Sequence, residues 1–271
     1  MQQPLSLKEI HAEMLVVLKK IITICKENDI SYTVGYGTLL GTIRHKGFIP
    51  WDDDCDIVML RPEYDRFVQY CNDHQETLKP YKLLNRFNTP HYPFGISRLS
   101  NMDYYMIRED GGKTDMGIFV DIYPYDGYGV DLSMAEKRRK KNKYYTRMAT
   151  YAALPHYVPS QRKLTGIIRR PAYTLAKVKG LAYYLDKMEK SRNRFSYANS
   201  ELVNCLTWGS DRATLKRCYM DLMTGEFEGI QVSIPRDYDL VLKTHYGDYM
   251  KLPPEEARKE SHGYKIYRKE K

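Results

Sequence analysis

Long apolar runs are missing from this chain of 271 residues. No stretch approaches the ~18 apolar residues that a membrane-spanning helix needs. The opening "MQQPLSLKEI" lacks the apolar centre of a secretory signal, so none is expected. Cysteine is sparse: Cys25, Cys55, Cys71, Cys205 and Cys218 are scattered, odd in number, and form no CxxC pair. That argues against a disulfide framework and a cysteine zinc site, and points to a reducing, cytoplasmic setting. Phenylalanine is also scarce, with 7 copies against 25 tyrosines. Tyrosine joins an apolar body to a polar tip, so the excess suits wet grooves and interfaces as well as a core. Internal repeats, low-complexity tracts and flexible linkers are absent too.

What is present is basic. The formal charge of +9 admits nucleic acid, an anionic membrane surface or a phosphate-bearing substrate as partner. Much of the excess sits mid-chain, in "EKRRKKNK" (Glu136–Lys143) and "RKLTGIIRR" (Arg162–Arg170). Solvated helix faces account for both in the ordinary way. Leu164, Ile167, Ile168, Leu175, Val178 and Leu181 also interleave with Arg and Lys as in an interfacial helix, which suggests peripheral contact with the inner face of the plasma membrane. Pro171 is expected to interrupt that helix.

Helical spacing of Leu7, Ile10, Met14, Val17, Leu18, Ile21 and Cys25 predicts a helix from Ser6, where Ser6 and Glu9 form a capping box. Strands are expected at Ile30–Val34, Asp54–Leu60, Tyr81–Leu84, Phe94–Leu99, Tyr104–Arg108 and Ile118–Tyr123. Gly35 and Gly37 mark a tight turn before a short helix, Thr38–Arg44, and Pro62 opens another helix. Leu132 to Asn199 turns helical, and the end of the chain reads as a loop-rich tail. The fold class expected is α+β: a nucleotidyltransferase-like mixed sheet with flanking helices plus a largely helical second half. The divisions expected are a catalytic core over 1–130, a basic helical region over 131–226, and a C-terminal segment over 227–271 that packs back on the core.

Chemistry concentrates in "GYGTLLGTIRHKGFIPWDDDCDIVM", where Asp52, Asp53, Asp54 and Asp56 fall within five positions. Strand alternation puts Asp54 and Asp56 on one face, a two-carboxylate seat for Mg²⁺ (or Mn²⁺) whose shell is completed by water and substrate phosphate. A third carboxylate is expected from Asp121, set in the apolar run "GIFVDIYPYDG", where an unpaired aspartate would be costly. Two other readings are weaker. An EF-hand loop would start at Asp52 and reach Glu63, but its obligatory sixth-position glycine is Ile57. A solvated acidic turn would need no metal. The preceding Gly-x-Gly turn aims backbone N–H groups at an anion, with Gly37 and the Thr38 hydroxyl as phosphate ligands. Arg44, His45 and Lys46 could neutralise phosphate charge. Neither a Walker loop nor a dinucleotide fingerprint is present.

This stretch resembles the signature of the LicD family, within the nucleotidyltransferase-fold superfamily. "FVDIYPYDG" (Phe119–Gly127) is similar to the family's second motif, and "FEGIQVSIPRDYDLVLKTHYGDYMKLPP" (Phe227–Pro254) with "EEARKESH" to its last. The resemblance implies metal-dependent transfer of a phosphorylated alcohol from a CDP-activated donor to a hydroxyl of a glycan or lipid-linked oligosaccharide, releasing CMP. Bacterial members place phosphocholine on teichoic acid or lipopolysaccharide sugars, and fukutin-related relatives transfer ribitol phosphate. On this chain it implies Asp54 and Asp56 as metal ligands, Asp52 assisting and Asp121 as third carboxylate. Trp51 and Asp53 fall in the signature and Arg258 and His262 in the tail motif, all expected to face nucleotide or acceptor. A choline donor would need an aromatic cage, for which Trp51, Tyr104, Tyr105, Tyr123 and Tyr125 are available. CDP-glycerol and CDP-ribitol remain as alternative donors. So does a true nucleotidyltransferase releasing pyrophosphate. Nucleic-acid binding is not expected, because it leaves the aspartates unexplained.

Overall fold

A computed structural model of the protein describes residues 3–90, 92, 94–108, 112–157, 163–192, 194–206, 212–259 and 263–270. In chain order the elements are α1 (Leu7–Glu27), β1 (Thr33–Val34), α2 (Tyr36–Arg44), β2 (Asp56–Leu60), α3 (Arg61–Asp73), β3 (Tyr81–Leu84), β4 (Ser97–Asn101), β5 (Tyr104–Arg108), β6 (Lys113–Thr114) and β7 (Ile118–Gly129). There follow α4 (Leu132–Ala153), α5 (Lys163–Lys179), α6 (Leu181–Arg192), β8 (Leu202–Asn204), β9 (Thr214–Leu215), β10 (Leu222–Phe227), β11 (Ile230–Pro235), α7 (Tyr238–Tyr246) and β12 (Tyr264–Arg268). The class is α+β, as expected. The chain forms two compact units: Met1–Leu84, Ser97–Pro124 and Arg217–Lys271 in the first, Asn85–Ile96 and Tyr125–Lys216 in the second.

The first unit is built on a sheet in the order β1-β2-β7-β4-β3. Every residue of β7 is buried, which explains its near-continuous apolar run. The antiparallel register of β4 on β7 sets Arg98 opposite Asp121. Helix α1 starts as its capping box dictates: the Ser6 N–H donates to the Glu9 carboxylate at 2.7 Å, and the Glu9 N–H donates to Ser6 Oγ at 3.4 Å. Its apolar stripe (Ile10, Met14, Val17, Leu18, Ile21) is buried, each side chain contributing roughly 1.5–3 kcal/mol.

Several local expectations need correction. Within the loop-rich tail, Tyr264–Arg268 forms an unexpected strand and pairs antiparallel with β5. "YKIYR" is too short and too polar to declare itself a strand without its partner. Upstream, β10 and β11 form a hairpin closed by Glu228 and Gly229, both at positive φ (49° and 73°), as a two-residue hairpin turn requires. The strand expected over Ile30–Val34 shrinks to Thr33–Val34, and the one expected from Asp54 begins at Asp56. The strand expected from Phe94 begins at Ser97, and the one from Ile118 runs on to Gly129. The helix expected at Thr38 instead begins at Tyr36, so Gly37 lies in its first turn.

In the second unit, α4, α5 and α6 enclose a core of Met148, Ala149, Ala176, Tyr184, Leu185 and Met188. Helix α5 runs through Pro171 without a break, contrary to expectation. The proline forfeits one backbone bond, and packing of Ala172 and Ala176 into this core offsets it. Leu175 and Val178 are exposed on α5, while the side chains of residues 164, 167 and 168 lie outside the described set. Among the described residues no helix is long and apolar enough to cross a membrane.

Candidate active site

The aspartates converge where α2 meets the start of β2. Asp53 and Asp56 are buried, and Asp52 and Asp54 are half-buried. Asp56 is tied in by its backbone: its N–H donates to Thr38 Oγ1 at 2.8 Å, and its carbonyl accepts from the Gly35 N–H at 3.0 Å. Its carboxylate is less well served. Asp56 Oδ1 is buried with no hydrogen-bond partner. Burial, then the charges of Asp54, Asp121 and Asp52, push the Asp56 carboxyl well above its ordinary range, against a smaller opposing pull from Arg98. A buried acceptor crowded by other carboxylates is an arrangement that a cation would relieve.

Asp121 lies on β7, next to β2 in the sheet, and its N–H donates to the Cys55 carbonyl at 2.8 Å. Sequence reasoning missed its partner. Arg98 on β4 grips the Asp121 carboxylate with Nε at 2.6 Å and Nη2 at 3.3 Å, and its guanidinium lies 3.8 Å from the centre of the Phe119 ring. A buried aspartate on a central strand demands a cation, and "SRLSN" on the neighbouring strand was the place to seek one. Among the described residues no group of three or more His, Cys, Asp or Glu side chains is arranged to hold a metal ion. Asp54 precedes β2, so alternation along the strand does not pair it with Asp56. Its charge is nevertheless the strongest of the carboxylate charges acting on Asp56, and the two could hold a hard cation if further ligands came from outside the protein.

The glycine turn explains itself by space. A methyl group on Gly37 would collide with Asp52 Oδ2, and one on Gly35 would stand 2.6 Å from Val58 Cγ2. Between them Tyr36 adopts φ of +46°, uncommon for a bulky residue and typical of functional turns. The Thr38 hydroxyl, expected to meet phosphate, is buried between α2 and β2, where it accepts the Asp56 N–H. Two further residues escaped sequence reasoning. His11 Nε2 donates to the Asp52 carbonyl at 2.6 Å while its ring stacks on Phe48 at 4.0 Å. The Tyr264 hydroxyl donates to the Asp53 carbonyl at 3.3 Å, and burial followed by the Asp53 charge raises its pKa. Neither carries a local signal, since each arrives from a distant element.

The expected basic residues divide. Trp51 is faced by the Arg258 guanidinium at 5.5 Å and met edge-on by the His45 ring at 6.3 Å, which sets a residue of the tail motif against the signature loop. Burial, then the neighbouring Arg44, lowers the His45 pKa, which keeps the imidazole neutral at pH 7. Arg44 Nη1 donates to the Tyr249 carbonyl at 2.7 Å, and Lys46 is exposed. His262 lies outside the described residues.

The aromatic residues named for a choline cage have separate neighbours. Tyr104 is buried beneath Arg268, Tyr105 stacks on Tyr267 at 5.4 Å, and Tyr125 falls in the second unit. Tyr123 instead joins Tyr36 at 4.5 Å, and Tyr36 meets His245 at 5.9 Å.

A family model described as LicD/FKTN/FKRP, nucleotidyltransferase domain, matches residues 29–158. That span includes the acidic cluster, Arg98 and Asp121, but neither Arg258 nor Tyr264. The lipopolysaccharide cholinephosphotransferase LicD of Haemophilus influenzae is 31% identical over 274 residues, covering 97% of this chain and 98% of that protein. Proteins named only as uncharacterized from Rickettsia prowazekii and Rickettsia typhi are 26% and 29% identical over 118 and 110 residues. Each covers 41% of this chain, and 38% and 33% of its own length.

Proposed function

Because this chain belongs to the LicD family, we propose that it transfers phosphocholine from CDP-choline to a hydroxyl of a cell-surface glycan, releasing CMP. The observation that carries this reading is the buried, unpartnered Asp56 Oδ1 beside Asp54. The relative that spans nearly the whole chain, named a lipopolysaccharide cholinephosphotransferase, supports the choice of substrate class.

In the reaction, the acceptor oxygen forms a bond to the phosphorus bearing choline, the bond from that phosphorus to the CMP oxygen breaks, and the hydroxyl proton passes to a base. Asp54 and Asp56 would hold Mg²⁺ or Mn²⁺, which when bound neutralises charge on the diphosphate and stabilises the leaving CMP. The remaining work falls to the chain itself. The N-terminus of α2 favours the charge of a phosphate. Arg98 holds the Asp121 carboxylate in a fixed orientation beside the cation seat. Arg258, braced on Trp51, offers a cation to the nucleotide or the acceptor.

Tyr36, backed by Tyr123 and His245, supplies the aromatic face that a quaternary ammonium needs. The test is a donor panel of CDP-choline, CDP-glycerol and CDP-ribitol, scored by CMP release. CDP-choline is expected to be preferred, and Tyr36→Leu should raise its KM about 3–30-fold, the range of cation–π contributions, with no change for the polyol donors. Preference for a polyol donor would replace choline in this reading and keep the chemistry. Pyrophosphate as product, from a nucleoside triphosphate, would remove it.

A further inference from the structure

The second unit holds a cavity of about 490 Å³ between the start of α4 and the end of α6. Its size suits one small ligand. Lys137 and Lys141 face it from α4, Lys187 and Lys190 from α6, and Arg194 from just beyond. Their spacing, four apart on one helix and three apart on the other, aligns each pair on one face. Arg138 lies beneath them, buried, with Nη1 donating to the Gly127 carbonyl at 2.6 Å and its guanidinium 4.7 Å from the Phe195 ring centre.

No carboxylate lines this cavity among the described residues. Acids of the two helices are used elsewhere: Glu136 pairs with Arg139 at 2.6 Å, Asp186 with Arg86 at 2.5 Å, and Glu189 with Arg192 at 2.5 Å. Cations on a merely solvated face are commonly interleaved with acids. Here they surround a concave space alone, with Tyr145 and Phe195 as apolar walls. Exposed Val130, Leu132 and Met134 lie at the adjoining end of α4.

We propose that this cavity is a second binding site, for a multiply charged phosphate or diphosphate group carried on an amphiphile. The lysine ammonium groups and Arg194 take the phosphoryl oxygens, and the apolar wall takes the adjoining non-polar part. The proposal does not rest on the transfer reading. Its failure leaves the acidic site untouched, and failure of the transfer reading leaves the cavity standing.

The test is calorimetric titration with inorganic pyrophosphate, run beside vesicles of neutral phosphatidylcholine with and without a phosphatidic acid component. Saturable pyrophosphate binding is expected, weakened by salt, and weakened about 10-fold or more in Lys137→Gln/Lys190→Gln. Both lysines are exposed, so the variant should keep the parent melting temperature and the parent rate of CMP release with a soluble acceptor. Binding to phosphatidic acid vesicles should compete with pyrophosphate. Absence of pyrophosphate binding, or binding unchanged in the variant, would overturn the proposal. Pyrophosphate binding with no vesicle binding would overturn its amphiphile half. Vesicle binding that pyrophosphate does not displace would overturn it as well, because that marks a charged surface rather than a built site.

Discussion

Asp56→Asn will abolish transfer and at the same time make the metal-free protein harder to unfold. The two effects share one cause. Asp56 is 4% exposed, its Oδ1 lacks a hydrogen-bond partner, and the charges of three further carboxylates act on it. Its carboxyl is therefore raised well above its ordinary value of 3.8. A raised carboxyl binds its proton more tightly in the folded chain than in the unfolded one. Stability is then lost as pH climbs from the unfolded value through the folded one. Asparagine keeps the shape and removes the charge, so the stability gain over the parent should widen as pH rises from about 4. Each kcal/mol regained should lift the melting temperature by about 2–4 °C. Transfer should fall by about 10²-fold or more, the usual cost of removing one group that stabilises developing charge. Asp54→Asn, at a half-buried position, should lose activity with little change in melting. An active Asp56→Asn protein would contradict the first effect, and one that melts lower than its parent at neutral pH would contradict the second.

Removing Arg98 should produce a large loss of stability. Its ion pair with Asp121 is buried on both sides, with side chains 9% and 6% exposed. Arg98 also opposes the charge on Asp56. Arg98→Ala leaves these buried carboxylates without their organic cation, a change that typically costs about 3–5 kcal/mol. The melting temperature should drop by more than about 6 °C for a chain of this length. Replacing both partners, as in Arg98→Met/Asp121→Leu, should recover much of that stability while leaving the protein inactive, because breaking a buried pair costs more than deleting it. Millimolar Mg²⁺ should also restore part of the loss in Arg98→Ala, since it supplies the missing positive charge. A drop below about 2 °C in Arg98→Ala would mean that the pair does not hold the site.

Elements marked by local chemistry were legible from the residues alone. The capping box of Ser6 and Glu9 and the stripe behind it place α1 to within two residues at its end. Pro62 starts α3, and β3 and β5 fall where their residues predict. The acidic cluster and the glycine turn meet as their spacing suggests, because they are close in sequence and the helix between them is short. What stayed hidden depends on distant partners. Arg98, His11 and Tyr264 reach the site from β4, α1 and β12. Nothing in their own neighbourhoods marks them. The same holds for β12, whose "YKIYR" becomes a strand only against β5, and for α5, where tertiary packing overrides the proline. Among the carboxylates, sequence could show that Asp121 needs a positive partner, but not that an arginine on the next strand already provides one.

The decisive experiment incubates the purified protein with CDP-choline, Mg²⁺ and an oligosaccharide acceptor, and follows CMP and the mass of the acceptor together. One CMP is expected for each phosphocholine added, with no reaction after chelation and full recovery when Mg²⁺ is returned. CMP without modified acceptor, or transfer indifferent to chelation, would contradict the proposed reaction.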